Sequence, residues 1–286
     1  YLQYFQPFFA AFRKARFEVG SAIGMDISRE SAQMFSYMCE VEEEVQATEA
    51  LYITADYKNF GPTIIHHVAS QILVIIKAWY AKYGDLNDEQ IIFMERLFAC
   101  LLQSNHIVLN LFVRPQQGIF SGNPFTAEIN TMVNNIYLRL AWLHCIKNAD
   151  LVLRASPWYW FRKYVRIVCY GDDLVARTHR CLYDIFNNVT IKAFMDVLGL
   201  TFTDALKRAE MVKLDPFKKV SFLKHSFSLH PKRPGLYLAA LDYQTIVDMV
   251  CYVRGKSDVL LKSETVCEDA VRFSHAHGRS VFDSVR

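Results

Sequence analysis

Glycine and proline are scarce, 11 and 8 among 286 residues, and no stretch repeats or reads as a linker. That excludes a disordered or solenoid architecture and favours one continuous fold. The seven cysteines (Cys39, Cys100, Cys145, Cys169, Cys181, Cys251, Cys267) form no Cys-x-x-Cys pair and no spaced Cys/His set, which excludes a zinc site. Their odd number and scatter suggest reduced core thiols in an intracellular protein. No run reaches about 18 uninterrupted apolar residues, so no membrane-spanning helix is expected. The first residues also lack the basic-then-apolar pattern of a signal peptide, and the chain is expected to be soluble. A net charge of +3 is too small to announce nucleic-acid binding, so any basic surface must be local. The chain lacks an initial methionine and ends just after Ser280-Val281-Phe282, which reads as the start of another element. It is taken to be a segment of something longer.

What is present is apolar: 52% hydrophobic and 14% aromatic residues, enough for a substantial core. The acidic run from Glu40 to Glu44 reads as a solvated helix end or loop. Residues 51–55 suit a buried strand that ends at Asp56, and Pro62 suits the first position of a long helix to about residue 83. After the break at Gly84-Asp85-Leu86-Asn87, a helix is expected over 88–104, a strand over 106–113, a loop over 115–122, and a long helix from Pro124 to about 147. Residues 164–170 and 174–177 read as strands with only Gly171-Asp172-Asp173 to turn between them. A helix over 183–198 stops at Gly199. Short strands near 200–203, 220–223 and 236–239 and helices near 243–253 and 264–275 complete a chain whose order, close to βαββαβ, predicts an α+β fold.

Acids at adjoining strand ends carry the chemistry. Asp56 ends one strand and Asp172 sits at a hairpin tip, so the two can face one another across a sheet. Phosphoryl transfer uses paired divalent cations to activate the attacking hydroxyl and neutralise the departing phosphates. Such hard cations want oxygen ligands, and magnesium usually takes only one or two carboxylates. An Asp-Asp pair in a hairpin is, taken alone, more often simply a turn. The apolar strands framing this one place its acids close to a core, where unpaired charge is costly, and that favours a metal.

Before the long helix, the segment from Gly118 to Thr126 holds two glycines and Ser121, where free backbone N–H groups can receive an anion or a ribose. Thr126, Asn130 and Asn134 then recur every four residues along an otherwise apolar helix. This neutral stripe is either a set of partners for sugar hydroxyls or a solvated face.

Taken in order, these pieces resemble the motif set of picorna-like RNA-dependent RNA polymerases over most of the chain. Asp56-Tyr57-Lys58-Asn59-Phe60 resembles the first palm motif, Ser121-Gly122 with Thr126 and Asn130 the second, and Tyr170-Gly171-Asp172-Asp173 the third. Leu200-Thr201-Phe202-Thr203 followed by Lys207 resembles the fourth, Phe222-Leu223-Lys224-His225 the primer-gripping turn, and Val19-Gly20-Ser21-Ala22-Ile23-Gly24 the segment that precedes the first motif. The wording Asp-Tyr-Lys-Asn-Phe-Gly-Pro leans towards arthropod-infecting members such as iflaviruses or dicistroviruses.

The resemblance implies a right-hand polymerase: residues 1–50 a fingers–palm junction, 51–240 the palm with a fingers-derived helical insertion at about 62–113, and 241–286 the start of the thumb. It implies that Asp56, Asp172 and Asp173 hold Mg2+, with Mn2+ as a substitute, and that Lys207 is the general acid for the leaving pyrophosphate. Ser121, Gly122, Thr126 and Asn130 would bind nucleotide and ribose, and Lys224 and Tyr170 the RNA primer. The implied partners are an RNA template and primer, ribonucleoside triphosphates and other viral replication proteins. The implied location is the host cytoplasm, at membrane-associated replication complexes. One departure is Gly61, where many relatives carry a second aspartate that helps read the ribose. The basic cluster Arg13-Lys14-Ala15-Arg16 is either an RNA contact or a solvated helix face.

Two competing readings are a reverse transcriptase and a non-catalytic RNA-binding palm fragment. Gly171 before the acids and the Ser-Gly-x-x-x-Thr-x-x-x-Asn helix favour an RNA product, and retention of three aspartates speaks against a catalytically silent scaffold.

Overall fold

Alternate residues of β1 (Leu51–Tyr57) serve two different cores: Ile53, Ala55 and Tyr57 enter one, and Tyr52 enters the other. A strand buried on both faces needs a nearly continuous apolar run, which is what the sequence supplies. The computed structural model describes residues 1–119, 121–252 and 258–286, and β1 lies in the middle of its main sheet. That sheet is antiparallel in the order β4 (Val165–Tyr170), β5 (Asp173–Thr178), β1, β6 (Phe202–Asp204), and β7 (Asp215–Pro216) pairs with the start of β1. Along the free side of β4, Ser21 forms a parallel bridge to Cys169, with Cys169 N–H donating to Gly20 O at 3.1 Å and Ala22 N–H to Cys169 O at 2.8 Å.

Helices cover the first core. They are α1 (Leu2–Lys14), α4 (His66–Tyr83), α5 (Asp88–Leu102), α6 (Thr126–Cys145) and α9 (Asn188–Val197). Phe5, Phe8, Phe9 and Phe12 form the buried face of α1 at helical spacing. On the other side of the sheet, α2 (Ile27–Cys39) and a three-stranded sheet of β8 (Ser221–Phe222), β9 (His225–Leu229) and β10 (Tyr237–Leu241) enclose the second core around Phe35, Phe217 and Phe227. The βαββαβ order expected of an α+β fold is present as β1, α6, β4, β5, α9 and β6.

Several expectations need correction. Asp56 lies inside β1, which continues to Tyr57 because Asp56 still pairs with Thr203 of β6. The long helix expected from Pro62 is divided into α3 (Phe60–Thr63) and α4. The break at Ile64-Ile65 is held by tertiary partners: Ile64 O accepts Gly118 N–H at 2.8 Å, and Ile65 N–H donates to Tyr137 Oη at 3.0 Å. The strand over 106–113 is a hairpin, β2 (His106–Val108) and β3 (Leu111–Val113).

The helix over 183–198 begins only at α9. Asn187 stops the preceding chain by donating to Tyr183 O at 2.7 Å, then caps α9 in a box with Thr190. Helices α7 (Leu151–Ala155) and α8 (Pro157–Tyr164) and strands β7 and β9 have no counterpart in the sequence reading. At the far end α10 (Tyr243–Met249), α11 (Val259–Ser274) and α12 (Arg279–Val285) follow, and the expected helix end at Val253 falls outside the described residues.

The acidic run is not wholly solvated, since Glu42 is buried and paired with Arg180, near the fully buried Arg177. Nor are the thiols mainly core groups: Cys169 alone is buried, while Cys100, Cys181, Cys251 and Cys267 are exposed. Among the described residues, no helix is long and apolar enough to cross a membrane.

Candidate active site

Tyr170 pairs with Asp173, so the β4–β5 hairpin turns through Gly171 and Asp172 alone and Asp173 opens the second strand. Gly171 has φ +63° and Asp172 does not, the pattern of a turn with glycine at its first central position, where a left-handed backbone is needed. The turn is held from beneath by α6. Thr131 Oγ1 accepts Gly171 N–H at 2.7 Å, and Asn134 Nδ2 donates to Gly171 O at 3.0 Å and Asp172 O at 3.2 Å. Tyr57 Oη in turn donates to Asn134 Oδ1 at 3.1 Å. Asn134, third in the polar stripe, is therefore fully buried and committed to the hairpin rather than open to a sugar. Spacing placed Asn134 on the right face, but what lay across from it was not legible.

The β1–β5 ladder ends at Ala55 and Leu174, so the next residues, Asp56 and Asp173, leave it at the same end of the sheet. Burial, then the charges of Asp172 and Asp56, push the Asp173 carboxyl up to about 6, opposed by the Leu223 N–H that it accepts and by Lys224. The Asp56 carboxylate accepts Tyr57 N–H at 2.8 Å and is paired with the Lys207 ammonium. The structure thus gathers Asp56, Asp172, Asp173 and Lys207 at one end of the sheet from three separate segments.

Lys224 reaches this neighbourhood from a second two-residue turn, Leu223-Lys224, between β8 and β9. Both residues have positive φ, 51° and 59°, although neither is glycine or asparagine. Lys224 is exposed, whereas Tyr170 is half-buried against the second core.

The remaining site residues stand apart from the acids in their contacts. Ser121 and Gly122 are exposed in the loop before α6, and Ser121 borders a small cavity of about 210 Å³ with Tyr1, Ser104 and Asn123. Thr126 opens α6, its hydroxyl donating to Asn123 O at 2.9 Å. Asn130 is half-buried, and its Oδ1 is a buried acceptor that finds no donor among the described residues. Gly61 O accepts Ile119 N–H at 2.9 Å, tying α3 to that same loop. The basic cluster near the start is largely committed: Arg13 pairs with buried Glu128 (Nε to Oε1, 2.8 Å) and Arg16 with Glu30 (2.6 Å).

For a hard divalent cation the donor chemistry fits, since every candidate is a carboxylate; the Asp173 carboxyl is raised first by burial and then by the charges of Asp172 and Asp56. Among the described residues, no three His, Cys, Asp or Glu side chains are grouped closely enough to hold a cation.

Comparison with known proteins agrees with this architecture. The chain is 35% identical over 243 residues to the genome polyprotein of Deformed wing virus, a match covering 84% of this chain and 8% of that one. It is 25% identical over 291 residues to the replicase polyprotein of Drosophila C virus, covering 99% and 16%. Among solved structures, the Sicinivirus 3Dpol RNA dependent RNA polymerase superposes with a TM-score of 0.78 at 20% identity, over 99% of this chain and 53% of that one. The chain therefore spans a small fraction of those polyproteins and about half of that polymerase. Residues 2–286 match a family described as viral RNA-dependent RNA polymerase. On a match that runs nearly end to end, the chain belongs to that family.

Proposed function

We propose that this chain forms the palm, with adjoining fingers and thumb segments, of a polymerase that copies RNA into RNA for a positive-strand RNA virus. The observation that carries the reading is the meeting of Asp56, Asp172, Asp173 and Lys207 at one sheet end. Two Mg2+ ions, or Mn2+ in their place, would activate the primer hydroxyl and neutralise the triphosphate when bound. Asp56 and Asp172 would hold the ions directly, and Asp173, half-buried beside them, would support the site. The primer 3′-hydroxyl gives up its proton to water as its oxygen forms a bond to the α-phosphorus of an incoming ribonucleotide, the bond to the bridging oxygen breaks, and pyrophosphate leaves. Lys207 supplies the leaving group's proton, for which it must exchange its partner Asp56 for the phosphates.

Lys224 clamps the primer backbone from its exposed turn, with Tyr170 behind it. Asn130 Oδ1, a buried acceptor with no donor among the described residues, suits the ribose 2′-hydroxyl, and Ser121, Gly122 and Thr126 complete the nucleotide side. The division at residues 50 and 240, the replication-protein partners and the membrane-associated cytoplasmic setting belong to the same reading. Gly171 and the α6 motif favour ribonucleotides over the deoxyribonucleotides of a reverse transcriptase.

The test is primer extension on an RNA template by a version lengthened to complete fingers and thumb, with Mg2+ or EDTA and either nucleotide class. Asp172→Asn is expected to lower extension by roughly 10²-fold or more, the order seen when a preorganised electrostatic group is removed. Equal extension by both proteins would remove Asp172 from the mechanism, and preference for deoxyribonucleotides would move the chain to the reverse transcriptase reading.

A further inference from the structure

Beside Lys207 lies an ion cluster that the reaction above does not use. Asp204 closes β6 and Asp215 opens β7, and both strands are paired to β1, Asp204 opposite Ala55 and Asp215 opposite Tyr52. The two carboxylates are buried and share one guanidinium, that of Arg208. Its Nε lies 2.9 Å from Asp204 Oδ2 and its Nη2 lies 2.8 Å from Asp215 Oδ1. Thr54 Oγ1 of β1 donates to Asp215 Oδ2 at 2.7 Å, and Thr54 N–H donates to Asn188 Oδ1 at 3.1 Å, which extends the cluster to the start of α9.

Asp204 also organises the turn itself. Its Oδ1 accepts Leu206 N–H at 2.8 Å and Arg208 N–H at 3.3 Å, and its carbonyl accepts Lys207 N–H at 3.0 Å. Three successive amides are therefore gathered by one residue. Lys207 sits in the middle at φ +56°, a conformation that a lysine holds only when its surroundings impose it. Neighbouring side chains diverge: Arg208 turns inward to the buried acids, and Lys207 turns outward to Asp56. Arg208 donates to Asp204 through Nε and Nη2 and is ion-paired to Asp215 through Nη2, a spread of contacts that a planar guanidinium holds in fixed directions better than a lysine ammonium does.

We propose that Arg208 is a positioning residue: by bridging Asp204 and Asp215 it fixes the 204–208 turn to β1 and sets where the Lys207 ammonium can reach. This rests on the reading of Lys207 as proton donor. A purely structural Arg208 would neutralise two buried acids and nothing more, so the test must separate placement from stability.

Arg208→Lys keeps the charge and loses the fork. In a polymerase with complete fingers and thumb, it is expected to lower kcat for single-nucleotide incorporation about ten- to a hundredfold, with KM for the nucleotide within about twofold. Hydrogen exchange of the amides at 206–208 should accelerate while that of β1 and β5 does not. In a Lys207→Leu background the same change should add less than about twofold, because the group it places is already gone. A triple variant, Arg208→Met with Asp204→Asn and Asp215→Asn, removes every charge of the cluster and should lower kcat in the same direction. A full-sized effect of Arg208→Lys in the Lys207→Leu background, or an effect confined to KM, overturns the proposal. If Lys207→Leu itself costs no rate, the proton-donor reading falls and the clamp with it. If Lys207→Leu lowers the rate but Arg208→Lys does not, the clamp alone falls.

Discussion

Two hairpins meet at Asp173, and they are built in opposite ways. The β4–β5 turn obeys local chemistry: glycine stands at the one position with positive φ, and buried side chains of α6 satisfy the turn's backbone groups. The β8–β9 turn defies it, with Leu223 and Lys224 both at positive φ and neither a residue that favours it. It is held by what surrounds it: Asp173 takes the Leu223 N–H, Lys224 O accepts Asp242 N–H at 2.7 Å, and the His225 ring is 2.6 Å from Leu223 O. The contrast teaches that the acidic tip is positioned by support from below. The basic tip is positioned against its own preference, so that a lysine stands where glycine or asparagine would fit more easily.

The largest effect on this comparison is expected from Asn134→Leu. It removes both donors beneath the acidic turn and the acceptor of Tyr57, leaving buried polar groups unpaired at about 1–3 kcal/mol each. Denaturant unfolding should show a loss of roughly 2–4 kcal/mol, and a loss under about 0.5 kcal/mol would mean that the hairpin holds itself.

Asp173→Asn probes the joint between the turns. The folded-state carboxyl, pushed up to about 6, lies above its ordinary value of 3.8, so the native state holds its proton more firmly and stability falls as pH rises from about 4 through about 6. In EDTA the variant should therefore gain Tm relative to the parent, by roughly 3 °C, at pH 7.5 but not at pH 4. An equal gain at both pH values would rule out charge as the cause.

The smallest effect belongs to Lys224→Asn, since asparagine tolerates the left-handed region better. It should raise stability by about 0.5–1 kcal/mol while lowering by about one the slope of log affinity for RNA against log salt, as one phosphate contact is lost. Unchanged stability would show that the turn carries no strain.

Why some of this was legible in the sequence and some was not follows from range. The strands beside Asp56 and Asp172 are local patterns of apolar residues, so the sheet could be expected from the sequence, while the role of its acids rested on the resemblance of the ordered motifs. The break at Ile64-Ile65 could not, because it depends on Gly118 and Tyr137, more than 50 residues away in sequence. Glu42 looked like one of several solvated acids because nothing nearby announces Arg177 and Arg180. Likewise, Asp204 and Asp215 are unremarkable until β6 and β7 bring both to one arginine. Tertiary pairing of charges leaves no period in the sequence for a reader to find.

The bridge from Ser21 to Cys169 has a consequence for self-association. An outer strand normally exposes unpaired backbone groups to which another chain can add itself, and Gly20 and Ala22 occupy those of Cys169, the part of β4 beside the acidic tip. The opposite side of the sheet ends in β6 and β7, three and two residues long, too short to template a neighbour. The β2–β3 hairpin offers a more open place for such addition, since Ile107, Leu109, Leu111 and Phe112 are each at least two-thirds exposed.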